Sequence, residues 1–432
     1  MHYAYRFRLN PTPEQREQLD YHRDTCRQLY NHALNEFEQI PDSAGTLNQR
    51  VRQVRDQLTD LKEWWNELND LYSTVAQAAV MRVEDSIKAL SELKERGYNV
   101  GSLNWKAPQD FRSFTYVQSG FEFDSKNGQP VLSLSKLADI PIVNHREIPD
   151  DVTIKEVTIK KEPTGEWFAS FAVDGKQTPE KPTDSERCVG IDVGILKYAH
   201  DTDGTAVGSL DLSDECERLE RAQRDLSRKE HRSNNWEKQR KVVAQRHADL
   251  KRKRRDFLHK LSNYYATEYD LVAVEDLDAK GLVELPGNSR NRASAAWGTF
   301  KRMLEYKCDR EGTHFVAVDP KDTTKECASC GVKTEKPLWV REHSCPSCGF
   351  EADRDANAAI NILSRGYDQL GVGYSEETPV ETALPVDTSV SAKRVVEAGS
   401  PITRSQRLLV SSQNSKSSDD TLKERTASAV SE

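Results

Sequence analysis

The sequence predicts an α/β protein in two parts: a β-module interrupted by a helical insert, then a strand-and-helix domain that carries a four-cysteine insertion. Three observations predict this. Alternating strands bracket a long helical block within residues 1–178. Short apolar strands that hold or end in acid, "CVGIDVGI" and "YDLVAVEDL", follow among helices. Two Cys-x2-Cys pairs then stand fourteen residues apart.

The first part opens on "YAYRFRLN" (3–10), where Tyr3, Tyr5, Phe7 and Leu9 alternate onto one face of a strand. A helix start follows. Thr12 is its N-cap, Pro13 stands in the first turn and Gln15 lies three after the cap. Leu19, Cys26, Leu29, Tyr30, Ala33, Leu34 and Phe37 then recur at helical spacing. A second helical block spans roughly 46–96, so the insert covers about 12–105. "TIKEVTIKKEPTGEWFASFAV" reads as a hairpin around "PTG". Residues 179–187, polar and Pro-containing, form a linker.

The second part begins at Cys188. A basic helical stretch runs over about 214–266 and breaks near "RSNN". Short strands cover 269–277 and 314–320, a helix carries Trp297, Phe300, Leu304 and Tyr306, and "DRDANAAINILSRG" (353–366) is helical. Residues 371–432 hold one aromatic, Tyr374, and are expected to be a disordered tail.

Composition narrows the function. Charged residues make up 31% and hydrophobic residues 36%, as in a soluble chain. No run of about 18 apolar residues predicts a membrane span, and the first fifteen residues lack the apolar stretch of a signal peptide. The chain is expected in the cytoplasm, with no membrane partner. A net charge of −8 counts against a nucleic-acid binder. The charge is uneven, however: Arg218–Arg255 holds 15 Lys/Arg against 5 Asp/Glu. "KRKRR" has no internal acid to pair with, so phosphate contact is the economical reading. The candidate contacts are Arg228, Lys229, Arg232, Lys238, Arg240, Lys251, Arg252, Lys253, Arg254 and Arg255.

Cys327, Cys330, Cys345 and Cys348 form two knuckles, each followed by a glycine that lets the loop turn. This is the pattern of a structural Zn²⁺ ribbon with no open coordination position. His343 is a spare nitrogen ligand. Cys26, Cys188, Cys216 and Cys308 are scattered and read as small core residues.

Asp192 lies in "GIDVGI", Glu275 in "AVEDL", and Asp353 and Asp355 in "ADRDANAA". One such acid is ordinarily a cap or a turn residue, and Asp276 suits that role. Three sites in one domain point to convergence on Mg²⁺, whose hard oxygen ligands these are. Two ions about 4 Å apart would activate water and steady the leaving oxygen in phosphodiester cleavage. The glycines beside Asp192 would let a nucleic-acid backbone approach.

"VGIDVGI", "VEDL", the paired cysteines and "DRDANAAINIL" stand in this order in the OrfB/TnpB proteins of insertion-sequence transposons, relatives of the type V CRISPR effectors, and the chain resembles that family over about residues 3–366. "YRFRLNPTPEQREQL" and "LSRKEHRSNNWEKQR" resemble its N-terminal and basic segments. The resemblance implies a RuvC-like, RNase H-type nuclease domain over 188–320 and 350–370, with the zinc ribbon inserted at 321–349. It implies an RNA-guided DNA endonuclease, with a guide RNA from the transposon end and a double-stranded DNA target bearing a short flanking motif. Its acidic triad falls on Asp192, Glu275 and Asp355, with Asp353 as the rival third acid. A transposase acting directly on transposon ends, or a silent nucleic-acid binder, is the alternative.

Overall fold

The computed structural model describes residues 2–371, apart from 127, 147, 150–151, 175–178, 285–294 and 338. The expected tail therefore lies outside the described residues, save Gly371. Two compact units emerge: Met1–Gln177 with His231–Gln245, and Thr178–Glu230 with Arg246–Glu432.

The first unit is built on a seven-stranded sheet of order β2-β6-β7-β1-β5-β4-β3, antiparallel throughout. Its strands are β1 (His2–Leu9), β2 (Ser113–Val117), β3 (Phe121–Lys126), β4 (Gln129–Leu134), β5 (Ile140–Val143), β6 (Thr153–Lys161) and β7 (Trp167–Asp174). Alternation sets the faces: Phe7 and Leu9 on β1, and Trp167, Ala169, Phe171 and Val173 on β7, are buried. Against this face packs α1 (Pro13–Gln39), burying all seven of the apolar residues that its spacing selects. The Thr12–Gln15 capping box forms as expected: Gln15 N–H donates to Thr12 Oγ1 at 3.3 Å, and Thr12 N–H to Gln15 Oε1 at 3.0 Å. The second helical block is not continuous. It divides into α2 (Leu47–Asp56), α3 (Leu58–Trp64) and α4 (Ser73–Glu95). The gap before α4 contains Asn66, Asn69 and Asp70, whose side chains compete with helical backbone bonds.

The second unit holds a mixed five-stranded sheet of order β10-β9-β8-β11-β12. Here β8 (Cys188–Val193), β9 (Lys197–Asp201) and β10 (Ala206–Gly208) form an antiparallel meander. Strands β11 (Leu271–Glu275) and β12 (His314–Val318) run parallel to β8. A parallel strand covered on both faces reads as an unbroken apolar run, and every residue of β11 is buried. The basic stretch forms α5 (Ser213–Ser227) and α6 (Asn234–Glu268), parted at 228–233 where Arg232 takes φ 67°. A short α7 (Ala279–Glu284), then α8 (Trp297–Glu311) and α9 (Arg354–Leu370), complete the helices described. Val272 and Val274 face Leu258, Tyr265, Phe300 and Leu304 of α6 and α8. Leu271 and Ala273 face Ile362, Leu363 and Tyr367 of α9. The sheet is thus covered on both sides, and α9 lies directly behind β8.

Between β12 and α9 sits the cysteine insertion, closed by the hairpin of β13 (Glu342–Ser344) and β14 (Glu351–Asp353). Of the scattered cysteines, Cys26 and Cys308 are core residues as expected, whereas Cys188 and Cys216 are only half-buried. Among the described residues no helix is long and apolar enough to cross a membrane.

Candidate active site and metal centre

The cysteine site is local. Each knuckle turns through a glycine with positive φ, Gly331 at 75° and Gly349 at 76°, where a side chain would be strained. The turns bring the sulfurs of Cys327 and Cys348 to 3.6 Å, and those of Cys330 and Cys345 to 3.5 Å. All four lie within 4.8 Å of one another. A tetrahedral zinc ion with bonds near 2.3 Å needs sulfurs about 3.8 Å apart, so the cluster could hold such an ion. Backbone N–H groups of Cys348 and Ser347 hold the Cys345 thiol low, toward the thiolate that binds metal. His343 is not part of the cluster. It is fully buried beside Phe350, with Nδ1 against Lys336 Nζ at 2.5 Å.

The acidic site is built from distant segments. Parallel register pairs Ile191 with Val274, so Asp192 and Glu275 stand one step further along neighbouring strands. Asp355 arrives on the first turn of α9. What allows this is Gly190: a Cβ there would meet the Ala359 carbonyl oxygen at 2.2 Å and Leu363 N at 2.8 Å. Gly366 plays the same part against Ala273, whose Cβ would lie 2.8 Å from an added one. The expectation that the glycines beside Asp192 admit a nucleic-acid backbone is therefore corrected. Gly190 admits the helix that carries Asp355, and Gly194 sits in the β8–β9 turn, where a Cβ would lie 2.9 Å from the Lys197 carbonyl.

Electrostatics ties the acids together. Asp192 keeps part of its surface open, yet its carboxyl is crowded enough that desolvation pushes its pKa well above the usual carboxylate range, with Asp355 and then Glu275 adding repulsion. Burial likewise raises Glu275, opposed by the Thr323 hydroxyl donating at 2.5 Å and by the charge of Arg365. Asp355 is buried and ion-paired with Arg341. Asp353 is engaged otherwise. It caps α9, accepting from Asp355 N–H at 2.8 Å, and pairs with Lys197 at 2.9 Å. Burial opposes its charge, but Lys197 more than offsets this and its pKa is lowered. Among the described residues the carboxylate oxygens do not gather within 4.8 Å as the sulfurs do. Asp276 is not the cap it was expected to be: it pairs with Lys301, and Asp278 accepts from Gly281 N–H at 3.0 Å.

Sequence reasoning missed the residues that bind the two sites together. Arg341 reaches Asp355 from the cysteine insertion. Asn357 Nδ2 donates to the Glu326 carbonyl at 2.7 Å and its Oδ1 accepts from Ala328 N–H at 2.9 Å, while Asn361 Nδ2 donates to the Thr323 and Glu326 carbonyls at 2.8 Å. Two asparagines one turn apart in an alanine-rich helix were the available signal.

The ten basic residues fall differently from expectation. Arg232, Lys238 and Arg240 belong with the first unit, and the other seven with the second. Arg228, Lys251, Arg252 and Arg255 are exposed and Lys229 is half-exposed. "KRKRR" does have partners outside the run, one on α5 and one further along α6. Lys253 pairs with Glu215 of α5, Arg255 Nε donates to His259 Nε2 at 3.1 Å, and Arg254 is half-buried. In the first unit a cavity of about 320 Å³ gathers Arg16, Arg23, Arg112, Lys161, Arg240 and Lys241, a basic site that the charge run did not reveal.

Known proteins match these features. Residues 297–362 fit the "Cas12f1-like, TNB domain" model, 170–285 a family described as "Probable transposase" (OrfB_IS605), and 1–40 its "Helix-turn-helix domain". A Streptomyces pristinaespiralis protein described as "Putative RNA-guided DNA endonuclease" is 34% identical over 84% of this chain and 89% of its own. An Escherichia coli K12 protein of the same description is 29% identical over 86% of this chain and 94% of its own. The protein of a cryo-EM Cas12f1-sgRNA-target DNA complex shares the fold: TM-score 0.56 at 16% identity, over 82% of this chain and 83% of that one. With these relatives spanning most of its length, the chain belongs to the OrfB/TnpB family.

Proposed function

We propose that the chain is a transposon-encoded, RNA-guided DNA endonuclease with a RuvC-like catalytic domain, and that Asp192, Glu275 and Asp355 are its catalytic acids. One observation carries the reading: carboxylates from β11 and α9, Glu275 and Asp355, both oppose the charge of the crowded Asp192 on β8. A meander followed by two parallel strands, covered by helices on both faces, supports the RNase H-type assignment. Asp355 is preferred to Asp353 because it acts on Asp192, whereas Asp353 is consumed by its cap and by Lys197.

Buried like charges and hard oxygen donors suit divalent cations. Mg²⁺ held there by Asp192, Glu275 and Asp355 would supply activation of water and stabilisation of the leaving oxygen. The chain's own groups do the rest. Thr323 fixes the Glu275 carboxylate, and Arg341 offsets the charge of Asp355. The four cysteines hold zinc structurally, and the basic residues of α5, α6 and the first unit take the phosphates of guide RNA and target DNA. A protein acting directly on transposon ends is the second reading, favoured by the description of the matched family.

The test is co-expression with the flanking transposon DNA, followed by sequencing of RNA that copurifies. One defined RNA ending at the element's boundary is expected. Random fragments would move the reading to a protein acting on DNA ends.

A further inference from the structure

His200 lies on β9 and is only 6% exposed. Its Nδ1 is buried and has no hydrogen-bond partner among the described residues. An unpaired polar atom in the interior costs free energy, so it calls for a partner that the chain itself does not supply. Orphaned ring nitrogens occur elsewhere in the molecule: His22, His32 and His343 each have one. What sets His200 apart is where the sheet puts it. The β8–β9 register pairs it directly with Asp192. Opposed residues of an antiparallel pair share a face, with Cβ atoms about 4.5–5.5 Å apart. That face is the one α9 covers, because Gly190, two residues before Asp192 on β8, packs against the α9 backbone. The start of α9 also meets β9, where Lys197 pairs with Asp353 at 2.9 Å. Burial, then the charge of Lys197, holds the imidazole below its usual pKa, against the pull of Asp353, Asp355 and Asp201. A neutral ring keeps one nitrogen lone pair free for a ligand.

We propose that His200 is a nitrogen ligand of a divalent ion held by Asp192 and Asp355, and that it tilts the site toward transition ions such as Mn²⁺ over Mg²⁺. The inference rests on the reading of the acids as metal ligands and adds which ions they take. Three acids alone offer only hard oxygen, which suits Mg²⁺. Imidazole binds first-row transition ions better than it binds Mg²⁺. An ion there would give the buried Nδ1 the partner it lacks and would relieve the repulsion on Asp192. Among the described residues these donors do not gather within 4.8 Å as the sulfurs do. Like charges push them apart in the metal-free chain, and the ion draws them together.

The test uses the full chain, untagged and freed of loosely bound ions, with Mn²⁺ as the probe. Pulsed electron paramagnetic resonance of bound Mn²⁺ detects a directly bonded nitrogen without any need for cleavage. Wild type should show nitrogen coupling, and D192A should bind no such ion. H200N, which offers an amide oxygen near the place of Nδ1, should keep the ion and lose the coupling. The ratio of Mn²⁺ to Mg²⁺ affinity, read by competition in the same samples, should fall about tenfold in H200N. Wild type grown on histidine labelled with the heavy nitrogen isotope should show an altered coupling, which identifies the ligand as histidine even if H200N does not fold. Coupling that persists in H200N, an unchanged affinity ratio, or an ion bound through Asp192 with no nitrogen coupling would overturn the proposal. In the last case the metal site stands and His200 is a core residue. Coupling lost in H200N, from a chain that cuts no DNA, would keep the ligand and refute the nuclease. No Asp192-dependent ion in wild type would overturn both.

Discussion

The cysteine cluster and the acidic cluster sit in the same unit and are built in opposite ways. The sulfurs come from two short knuckles whose glycines fold them locally, and they already lie within 4.8 Å of one another. The acids come from β8, β11 and α9, and they repel; one of them is held by an arginine from the insertion. A structural metal site can be complete in its own loops. The proposed catalytic site depends on the packing of the whole domain and crowds Asp192 against like charge. Strongly perturbed acids of this kind cluster at functional sites.

The comparison breaks most sharply at the cysteines. C327A or C345A is expected to lose the metal altogether, since structural zinc is bound by about 10–16 kcal/mol. Zinc content by atomic emission reads this, and an unchanged content refutes the ribbon. Cleavage should also fall, because Arg341 and the Asn357 and Asn361 contacts depend on the insertion.

The acids should behave in the reverse way. D192A or E275A is expected to lower cleavage by about a thousandfold or more while zinc content stays the same. D353N should lose less than about tenfold, and about 1 kcal/mol of stability as the Lys197 ion pair is lost while Asn still caps α9. An equal loss in D353N and D355N would overturn the assignment of Asp355.

Gly190→Ala tests the packing link. The new methyl would strike the α9 backbone, so stability should fall by about 3 kcal/mol in denaturant melts and cleavage with it, with zinc retained. R341A is a smaller change. Asp355 loses its partner, and the metal-free protein should lose about 1–2 kcal/mol. Added Mg²⁺ should then raise the melting temperature more than it does in wild type.

The two sites also respond oppositely to pH. The folded carboxyls of Asp192 and Glu275 hold their protons more tightly than in the unfolded chain, so the folded state binds more protons above about pH 4. Metal-free stability should therefore fall as pH rises from there through the raised values, and D192N should flatten the fall. Zinc requires thiolates, so the ribbon should instead lose its metal as pH drops.

Much of this was legible in the sequence. The cysteine spacing, the acids in apolar strands, the capping box and the seven core residues of α1 are local patterns that short-range chemistry imposes. Residues whose meaning depends on a distant partner were not legible. Gly190 reads as room for a nucleic-acid backbone until α9 is placed against it. Arg341 is one arginine among many until its chain path brings it to Asp355. "KRKRR" looked free because its counter-charge, Glu215, lies on another helix. Asp276 read as the cap, but α7 begins at Ala279 and Asp278 takes the Gly281 N–H.

The most direct measurement is cleavage of a guide-matched DNA by the purified ribonucleoprotein, wild type beside D192A, with and without Mg²⁺, and with zinc measured in the same samples. The acids are expected to be needed for cutting and not for zinc: wild type cuts only with Mg²⁺, and D192A does not cut at all, at equal zinc content. Cutting by D192A at the wild-type rate, or by wild type without a divalent ion, would contradict the account.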